Sequence, residues 1–302
     1  KQDMLADNDQ VTGAVIVELD TNELFHIRPV NADRSGGFAD LGSYYAEGKK
    51  SAYAPEALVS GDWHVGETDQ VVVKSKLELL SRLKINKLIV HDLFDGKSLN
   101  PHEREKLLLL AKRAQKGELD LDKELEMVAR DLKIMGTATK EVVIVPSNHD
   151  EFLNRYLEAG EYVKHPYNHK AALRLAMDML EDKNPLEEEM RRRGIKNNVK
   201  FLVRDESFKV GGVEVGQHGD RGQNGARASL KGLEESYGAC IVGHGHSPKM
   251  ERSAWMVGTS THMNLGYNVG ASSWLNTDAL VYPNGNRQML NYIQGRFTTR
   301  KL

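Results

Sequence analysis

The pattern of apolar and polar positions changes character near residue 55. Before that point, two β-rich runs at 14–19 and 24–27 lie on either side of Asp20-Thr21-Asn22, which predicts a hairpin over 12–30. Residues 31–55 are rich in Gly, Ala, Ser and Tyr and are predicted to be loop. We therefore expect residues 1–55 to form a separate segment that packs on a domain made by residues 56–302.

From residue 56 onward, short apolar runs alternate with amphipathic stretches. Strands are predicted at 57–60, 87–90 and 140–145, and helical patterns at 72–83, 100–133 and much of 151–193. The rest is mostly β, with runs at 199–203, 213–217 and 239–242 and a last hairpin formed by 278–282 and 287–293. Strands that alternate with helices are typical of an α/β domain.

Net charge, apolar runs and cysteine content exclude some classes of function but do not identify the function. The 302 residues carry 41 Lys and Arg against 43 Asp and Glu, a net charge of −2. Binding to nucleic acid would then depend on local basic patches or on metal, because there is no overall positive field. No apolar run approaches the roughly 18 residues of a membrane helix, so no membrane partner is expected. The single cysteine, Cys240, excludes an intrachain disulfide framework and fits a reducing cytosol.

Metal-competent side chains gather where the predicted strands end. Loops converge at the carboxyl ends of strands in an open α/β sheet, so side chains there can meet. One His or Asp after a strand is usually a turn residue or a satisfied polar group, but this sequence has five such segments. They are Gly61-Asp62-Trp63-His64, His91-Asp92-Leu93-Phe94-Asp95-Gly96, Ser147-Asn148-His149-Asp150, Gly216-Gln217-His218-Gly219-Asp220 and Gly243-His244-Gly245-His246.

In this order the five segments resemble the motif series of the calcineurin-like metallophosphoesterase superfamily: Asp-x-His, Asp, Asn-His, His and Gly-His-x-His. The resemblance covers about residues 56–246. It implies a four-layer sandwich, two mixed β-sheets flanked by helices, with the site at the carboxyl ends of the strands. It also implies two divalent metal ions. A ligand set of oxygen and nitrogen without thiolate favours Mn²⁺, with Fe or Zn as alternatives.

Carried over position by position, the resemblance implies seven metal ligands and one residue that acts on the substrate. Asp62, His64 and His246 are expected on one ion, Asn148, His218 and His244 on the other, with Asp92 bridging both. His149 is expected beside the substrate, as a general acid or a donor to the transition state. The implied reaction is hydrolysis of a phosphoester by in-line attack of a hydroxide held between the ions.

Two neighbours of the predicted ligands depart from the family pattern, which has glycine at both places. His91 precedes the bridging Asp92, and Ser147 precedes Asn148. His91 is a candidate for substrate contact or for a hydrogen bond to a ligand, and a side chain that faces solvent or a neighbouring loop is an equally good interpretation. Arg221 and Arg227 follow His218 in a glycine-rich loop and are candidate phosphate-binding residues.

The superfamily resemblance does not fix the substrate. Asp92-Leu93-Phe94 resembles the second motif of SbcD-type repair nucleases. The segments 147–153, 218–227 and 257–275 are similar to phage-encoded metallophosphoesterases, among them DNases made by T5-like phages early in infection. We therefore predict a metal-dependent DNase that acts on DNA, in the host cytoplasm if it is phage-encoded. Two alternative functions stay open: a small-molecule or nucleotide phosphodiesterase or phosphatase, and an inactive scaffold. Association of the chain with copies of itself also stays open.

Overall fold

The computed structural model describes residues 12–19, 24–266, 268 and 270–299. The predicted hairpin is present as β1 (Gly13–Leu19) and β2 (Phe25–Asn31), which pair antiparallel. Its predicted turn, Asp20-Thr21-Asn22, lies outside the described residues. The hairpin is attached to the rest of the chain by its inward side chains, for example by Arg28, whose Nε donates to Asp40 Oδ1 at 3.0 Å.

The prediction of loop for residues 31–55 is wrong. This stretch contains a three-stranded antiparallel sheet of β3 (Phe38–Asp40), β4 (Ser43–Ala46) and β5 (Lys49–Ala52). The turn between β4 and β5 consists of two residues, Glu47 and Gly48, with φ of 50° and 72°. Two positive φ values in a two-residue hairpin loop are the conformation that matches the twist of paired strands. The Tyr53 ring stacks on Tyr282 at 5.6 Å between ring centroids and joins this sheet to the main domain.

The described part of the chain after residue 56 contains two mixed β-sheets. Its strands are β6 (Ala57–Ser60), β7 (Lys87–His91), β8 (Glu141–Val145), β9 (Val199–Phe201), β10 (Lys209–Val210), β11 (Val213–Glu214), β12 (Cys240–Val242), β13 (Lys249–Glu251), β14 (Ala254–Met256), β15 (Thr277–Val281) and β16 (Arg287–Asn291). The larger sheet has the order β16-β15-β6-β7-β8-β9, with β6 to β9 parallel. The smaller has the order β10-β11-β12-β14-β13, with β11, β12 and β14 parallel.

The described part of the chain contains seven α-helices. They are α1 (Gln70–Leu83), α2 (Leu107–Lys116), α3 (Leu121–Ala138), α4 (Asp150–Glu158), α5 (His169–Leu180), α6 (Pro185–Arg192) and α7 (Leu230–Tyr237). The continuous helical pattern predicted for 100–133 is divided into α2 and α3. Gly117 ends α2 in the left-handed conformation, and the Asp120 side chain accepts a hydrogen bond from Lys123 N at the start of α3. None of the helices in the described part of the chain has the length and apolar character needed to span a bilayer.

The apolar side chains show how the layers are stacked. Val59, Ile89 and Val143 alternate along their strands with residues of the other face and pack against Ile241 and Trp255 of the smaller sheet. The opposite face of the larger sheet packs against α1, α3, α4, α5 and α6, and α7 covers the smaller sheet. The chain is thus an α/β protein with two mixed sheets between helices. This arrangement brings the ends of β6, β7, β8, β11 and β12 to one edge.

Candidate metal centre

Four of the predicted ligands form one buried group. Ligand atoms of Asp62, His64, Asp92 and His246 all lie within 4.8 Å of one another. His246 Nε2 lies 3.1 Å from His64 Nε2 and 3.2 Å from Asp62 Oδ2, and His64 Nε2 lies 3.4 Å from Asp92 Oδ2. Two atoms bound to one ion at about 2.0–2.2 Å are separated by similar distances, so the group has the size of one metal site.

The other three predicted ligands form a second group, which reaches the same aspartate through His218. Asn148 Oδ1 lies 3.2 Å from His218 Nε2 and 3.0 Å from His244 Nδ1. His218 Nε2 in turn lies 3.3 Å from Asp92 Oδ2. The structure therefore brings all seven predicted ligands together, in two groups that have Asp92 in common.

Several buried atoms of this cluster lack hydrogen-bond partners among the described residues. They are Asp62 Oδ2, Asp92 Oδ1, His218 Nδ1 and His246 Nδ1. A buried carboxylate oxygen without a donor is costly, and native proteins usually pair such atoms or use them to bind a cation. Oxygen and imidazole nitrogen are the donors that Mn, Fe and Zn accept. The residues present thus fit a divalent cation.

The backbone around these side chains is strained. His64, Asp92, His244 and His246 have positive φ values of 47°, 48°, 73° and 53°. Such a conformation costs a non-glycine residue on the order of 1–3 kcal/mol and concentrates at functional sites, where the surrounding structure enforces it. Gly243 permits the close approach, because a Cβ there would collide with Asp62 Oδ1 and lie 2.9 Å from His91 Cβ.

Asp95 orients two histidines of the site. Its Oδ1 lies 2.9 Å from His64 Nδ1, which leaves Nε2 of that ring directed to the ligand cluster. Its backbone oxygen lies 2.7 Å from His149 Nδ1. A carboxylate behind a metal-binding histidine fixes the orientation of the ring and its tautomer. The sequence did not assign Asp95 a role, although it stands three residues after Asp92 in the same strand-end segment.

Two imidazoles of the cluster have raised pKa values. Burial alone would lower the pKa of His64, but Asp92 and Asp95 raise it to about 10. The pKa of His218 is likewise lowered by burial and raised by Asp92, to a final value of about 9. At neutral pH both imidazoles therefore hold protons that a metal ion would have to displace.

A second buried network supports the loop that carries Asp62. The ammonium group of Lys76 donates to Ser60 Oγ at 2.7 Å, to Ser260 Oγ at 2.6 Å and to Asp278 Oδ1 at 2.7 Å. The same Asp278 oxygen accepts from Gly61 N at 2.9 Å. The amphipathic pattern of α1 did not indicate this role, because a lysine in such a helix is expected on its polar face.

The two departures from the family pattern have different consequences. Ser147 Oγ accepts from Asp150 N at 3.1 Å and Ser147 N donates to Asp150 Oδ2 at 3.0 Å, a reciprocal pair that fixes the start of α4 beside Asn148. His91 is fully buried, so the interpretation of a solvent-facing side chain is wrong. Its ring nitrogens make no hydrogen bond to the described residues, and its ring centroid lies 5.7 Å from that of His218, behind the ligands.

The two candidate phosphate-binding arginines differ in their surroundings. Arg221 is paired with Glu151, which neutralises part of its charge. Arg227 is exposed and has no ion-pair partner in the described ranges. A cleft of about 250 Å³ is lined by His149 and Asp95 at the site and by Lys112 and other residues of α2. The cleft therefore brings basic side chains of α2 next to His149, among acidic residues of the same lining.

A comparison with curated proteins found a relative in a bacteriophage. No family model matches the chain, and no solved structure matches it. The chain is 32% identical over 311 aligned positions to Protein A1 of Escherichia phage T5, an alignment that includes 94% of this chain and 54% of the relative. The chain therefore spans about half the length of the curated relative it matches. This similarity to a phage protein agrees with the phage relation expected from the motifs.

Proposed function

We propose that the chain is a metallophosphoesterase that hydrolyses phosphodiester bonds in DNA with two divalent cations, Mn²⁺ being preferred. The observation that carries this proposal is the convergence of seven side chains into two groups that share Asp92. A shared carboxylate is the arrangement that two neighbouring cations require, since one anion then offsets charge on both. The layering of two mixed sheets between helices also supports a metallophosphoesterase sandwich.

In this proposal Asp62, His64 and His246 would hold one ion. Asn148, His218 and His244 would hold the other, and Asp92 would be shared by the two groups. Bound cations would supply Lewis acidity at the phosphoryl oxygens and a nucleophile at neutral pH. The mixture of two carboxylates, one amide and four imidazoles leaves the pair of ions with net positive charge, which attracts a phosphodiester.

His149 is the residue proposed to move a proton. Its Nδ1 donates to the Asp95 carbonyl oxygen at 2.7 Å, which fixes the ring and leaves Nε2 as the nitrogen that exchanges protons with the substrate. As an imidazolium the ring keeps this hydrogen bond and holds a proton at Nε2 for the leaving oxygen. The ring lies edge-on to His64, with 4.7 Å between centroids, and is therefore adjacent to the ligands.

DNA as the substrate is supported by the motifs shared with phage DNases and by similarity to a phage protein. With a net charge of −2, attraction to the backbone must come from the ions and from local cations. Arg227 is exposed, and Lys112 lines the cleft that contains His149. Contacts of this kind bind phosphate and do not read bases, so sequence preference should be slight.

The test uses Mn²⁺-loaded protein with linear duplex, circular duplex and single-stranded DNA, beside the chromogenic diester bis-p-nitrophenyl phosphate. Cleavage of DNA by the wild type, abolished in Asp92→Ala, supports the proposal. Arg221→Gln with Arg227→Gln should reduce DNA cleavage far more than diester hydrolysis, because the small diester does not extend to these side chains. If the protein hydrolyses the diester or nucleotides but leaves DNA intact, a small-molecule phosphodiesterase is favoured. If it hydrolyses none of these substrates, an inactive scaffold is favoured.

A further inference from the structure

The N-terminal hairpin has its apolar face turned away from the protein. The inward positions of β1 and β2 bury Glu18, His26 and Arg28 together with one apolar residue, Val30. The outward positions form an apolar face that we define by five exposed side chains, Val15, Val17, Leu19, Phe25 and Ile27. An antiparallel hairpin normally points its apolar face at the core and its polar face at water, so this polarity is reversed.

Specific polar contacts fix the reversed orientation. Arg28 Nη2 donates to Glu18 Oε1 at 2.5 Å, and Arg28 Nε donates to Asp40 Oδ1 at 3.0 Å. Glu18 Oε2 accepts from Thr298 Oγ1 at 2.6 Å and from Thr299 N at 2.9 Å. A slip of one residue in the register would exchange the two faces and would expose these buried charges. The outward direction of the apolar face is therefore a specified feature of the fold.

The apolar face is continuous across the two strands. The pairing register places Val17 opposite Ile27 and Leu19 opposite Phe25, so the side chains of both strands form one surface. These five side chains are between 42% and 78% exposed. Together they leave on the order of 500 Å² of apolar surface, a size at which an exposed patch on a monomer is often functional.

The lack of charge on the apolar face favours an apolar partner over DNA. The described outward positions of β1 and β2 bear no charged side chain, so the face offers nothing to the phosphates of DNA. A second copy of the same face is a suitable partner, because two identical apolar surfaces related by a two-fold axis complement each other. Two such faces would bury about 1,000 Å² in total, the area at which specific interfaces begin.

We propose that this apolar face is the surface through which two copies of the chain associate. The proposal is independent of the proposed hydrolysis, because the hairpin lies outside the ligand cluster.

The first experiment compares oligomeric state by sedimentation velocity over a range of concentrations. The wild type should sediment as a dimer, and Val17→Lys with Leu19→Lys should sediment as a monomer. The matched control is Val163→Lys with Leu180→Lys, since Leu19 and Leu180 are 78% and 79% exposed and Val17 and Val163 are 56% and 67% exposed. The control should remain dimeric. A wild type that is monomeric at every concentration, or equal dimerisation of both variants, would overturn the proposal.

The second experiment does not depend on how well the lysine variant folds. Cys240 is the only cysteine and is buried, so a new surface cysteine can be cross-linked without interference. Mild oxidation of Val17→Cys should give a covalent dimer on a non-reducing gel, while Val163→Cys should remain monomeric. No covalent dimer from Val17→Cys, or equal amounts from both variants, would contradict the proposed contact. Binding of monomers to phosphatidylcholine vesicles through the hairpin would overturn it in favour of a lipid surface.

Discussion

The two ligand groups differ in their access to solvent. Asp62 and His64 are completely buried, and His246 nearly so. In the other group His218 is buried, but Asn148 is only partly buried and His244 is exposed. The first group is therefore shielded and the second is open on one side, although both use the same aspartate.

The difference originates in what covers each group. Asp95 lies behind His64, and the Trp274 ring approaches His246 edge-on at 4.3 Å between centroids. His244 follows Gly243 on the side that faces outward. We infer that an ion in the first group would exchange slowly with solvent, while an ion in the second group would be the one that a phosphodiester approaches.

The largest expected effect is that of Asp92→Ala, which removes the ligand common to both groups. Both ions should be lost. The decrease in affinity should exceed the roughly 10- to 100-fold decrease that removal of an outer hydrogen-bond partner causes. Elemental analysis after dialysis measures the metal content. Asp182→Ala is the control, because Asp182 also has a positive φ, 56° against 48° for Asp92, and is remote from the ligands. Retention of one ion by Asp92→Ala would show that the carboxylate does not bridge.

A comparison of His246→Ala with His244→Ala tests the two groups separately. Each variant should retain one ion, because each removes a ligand from one group alone. The ion that His246→Ala retains should exchange rapidly with solvent, since it occupies the open group, and the ion that His244→Ala retains should exchange slowly. Exchange of isotopically labelled metal measures both rates. Equal exchange rates in the two variants would contradict the distinction between a shielded and an open group.

His149→Ala should separate chemistry from metal binding. The variant should keep both ions and lose on the order of 10²-fold or more in the rate of hydrolysis, the usual scale for a positioned acid. Turnover under saturating substrate and metal content are measured on the same sample. His169→Ala provides a control histidine outside the ligand cluster. Normal turnover, or loss of metal, would show that His149 has another role.

The smallest expected effect is a release of protons when metal binds. The pKa values of about 10 for His64 and about 9 for His218 mean that both rings are protonated at pH 7 in the metal-free site. Binding should then release about two protons, and affinity should fall as the pH is lowered. Calorimetry in buffers of different ionisation enthalpy measures this number. Binding without proton release would indicate that these two rings do not contact the ions.

The sequence predicted the strands that carry the site correctly, but it did not predict the strands within residues 31–55. Strands β6, β7 and β8 are continuous apolar runs because both faces of the sheet are buried, and such runs are easily recognised. The strands β3 to β5 have exposed polar positions such as Lys49 and Lys50 and lack this signal. Their two-residue turn at Glu47-Gly48 was the available indication.

Alternation of apolar and polar residues predicted the strands of the hairpin but not which of its faces points to the core. A period of two at residues 14–19 predicted the strand, but it does not indicate which face points to the core. That orientation depends on distant partners of Arg28 and Glu18, namely Asp40 and Thr298. The positions of Asp95 and Lys76 behind the ligands likewise depend on tertiary packing, which the spacing of residues in sequence does not contain.

The central claim is that two cations bind on either side of Asp92, and anomalous diffraction from crystals grown with Mn²⁺ tests it most directly. The account predicts two peaks about 3.5–4 Å apart, with Asp92 in contact with both. One peak should be surrounded by Asp62, His64 and His246, and the other by Asn148, His218 and His244. A single peak, or peaks away from Asp92, would contradict it.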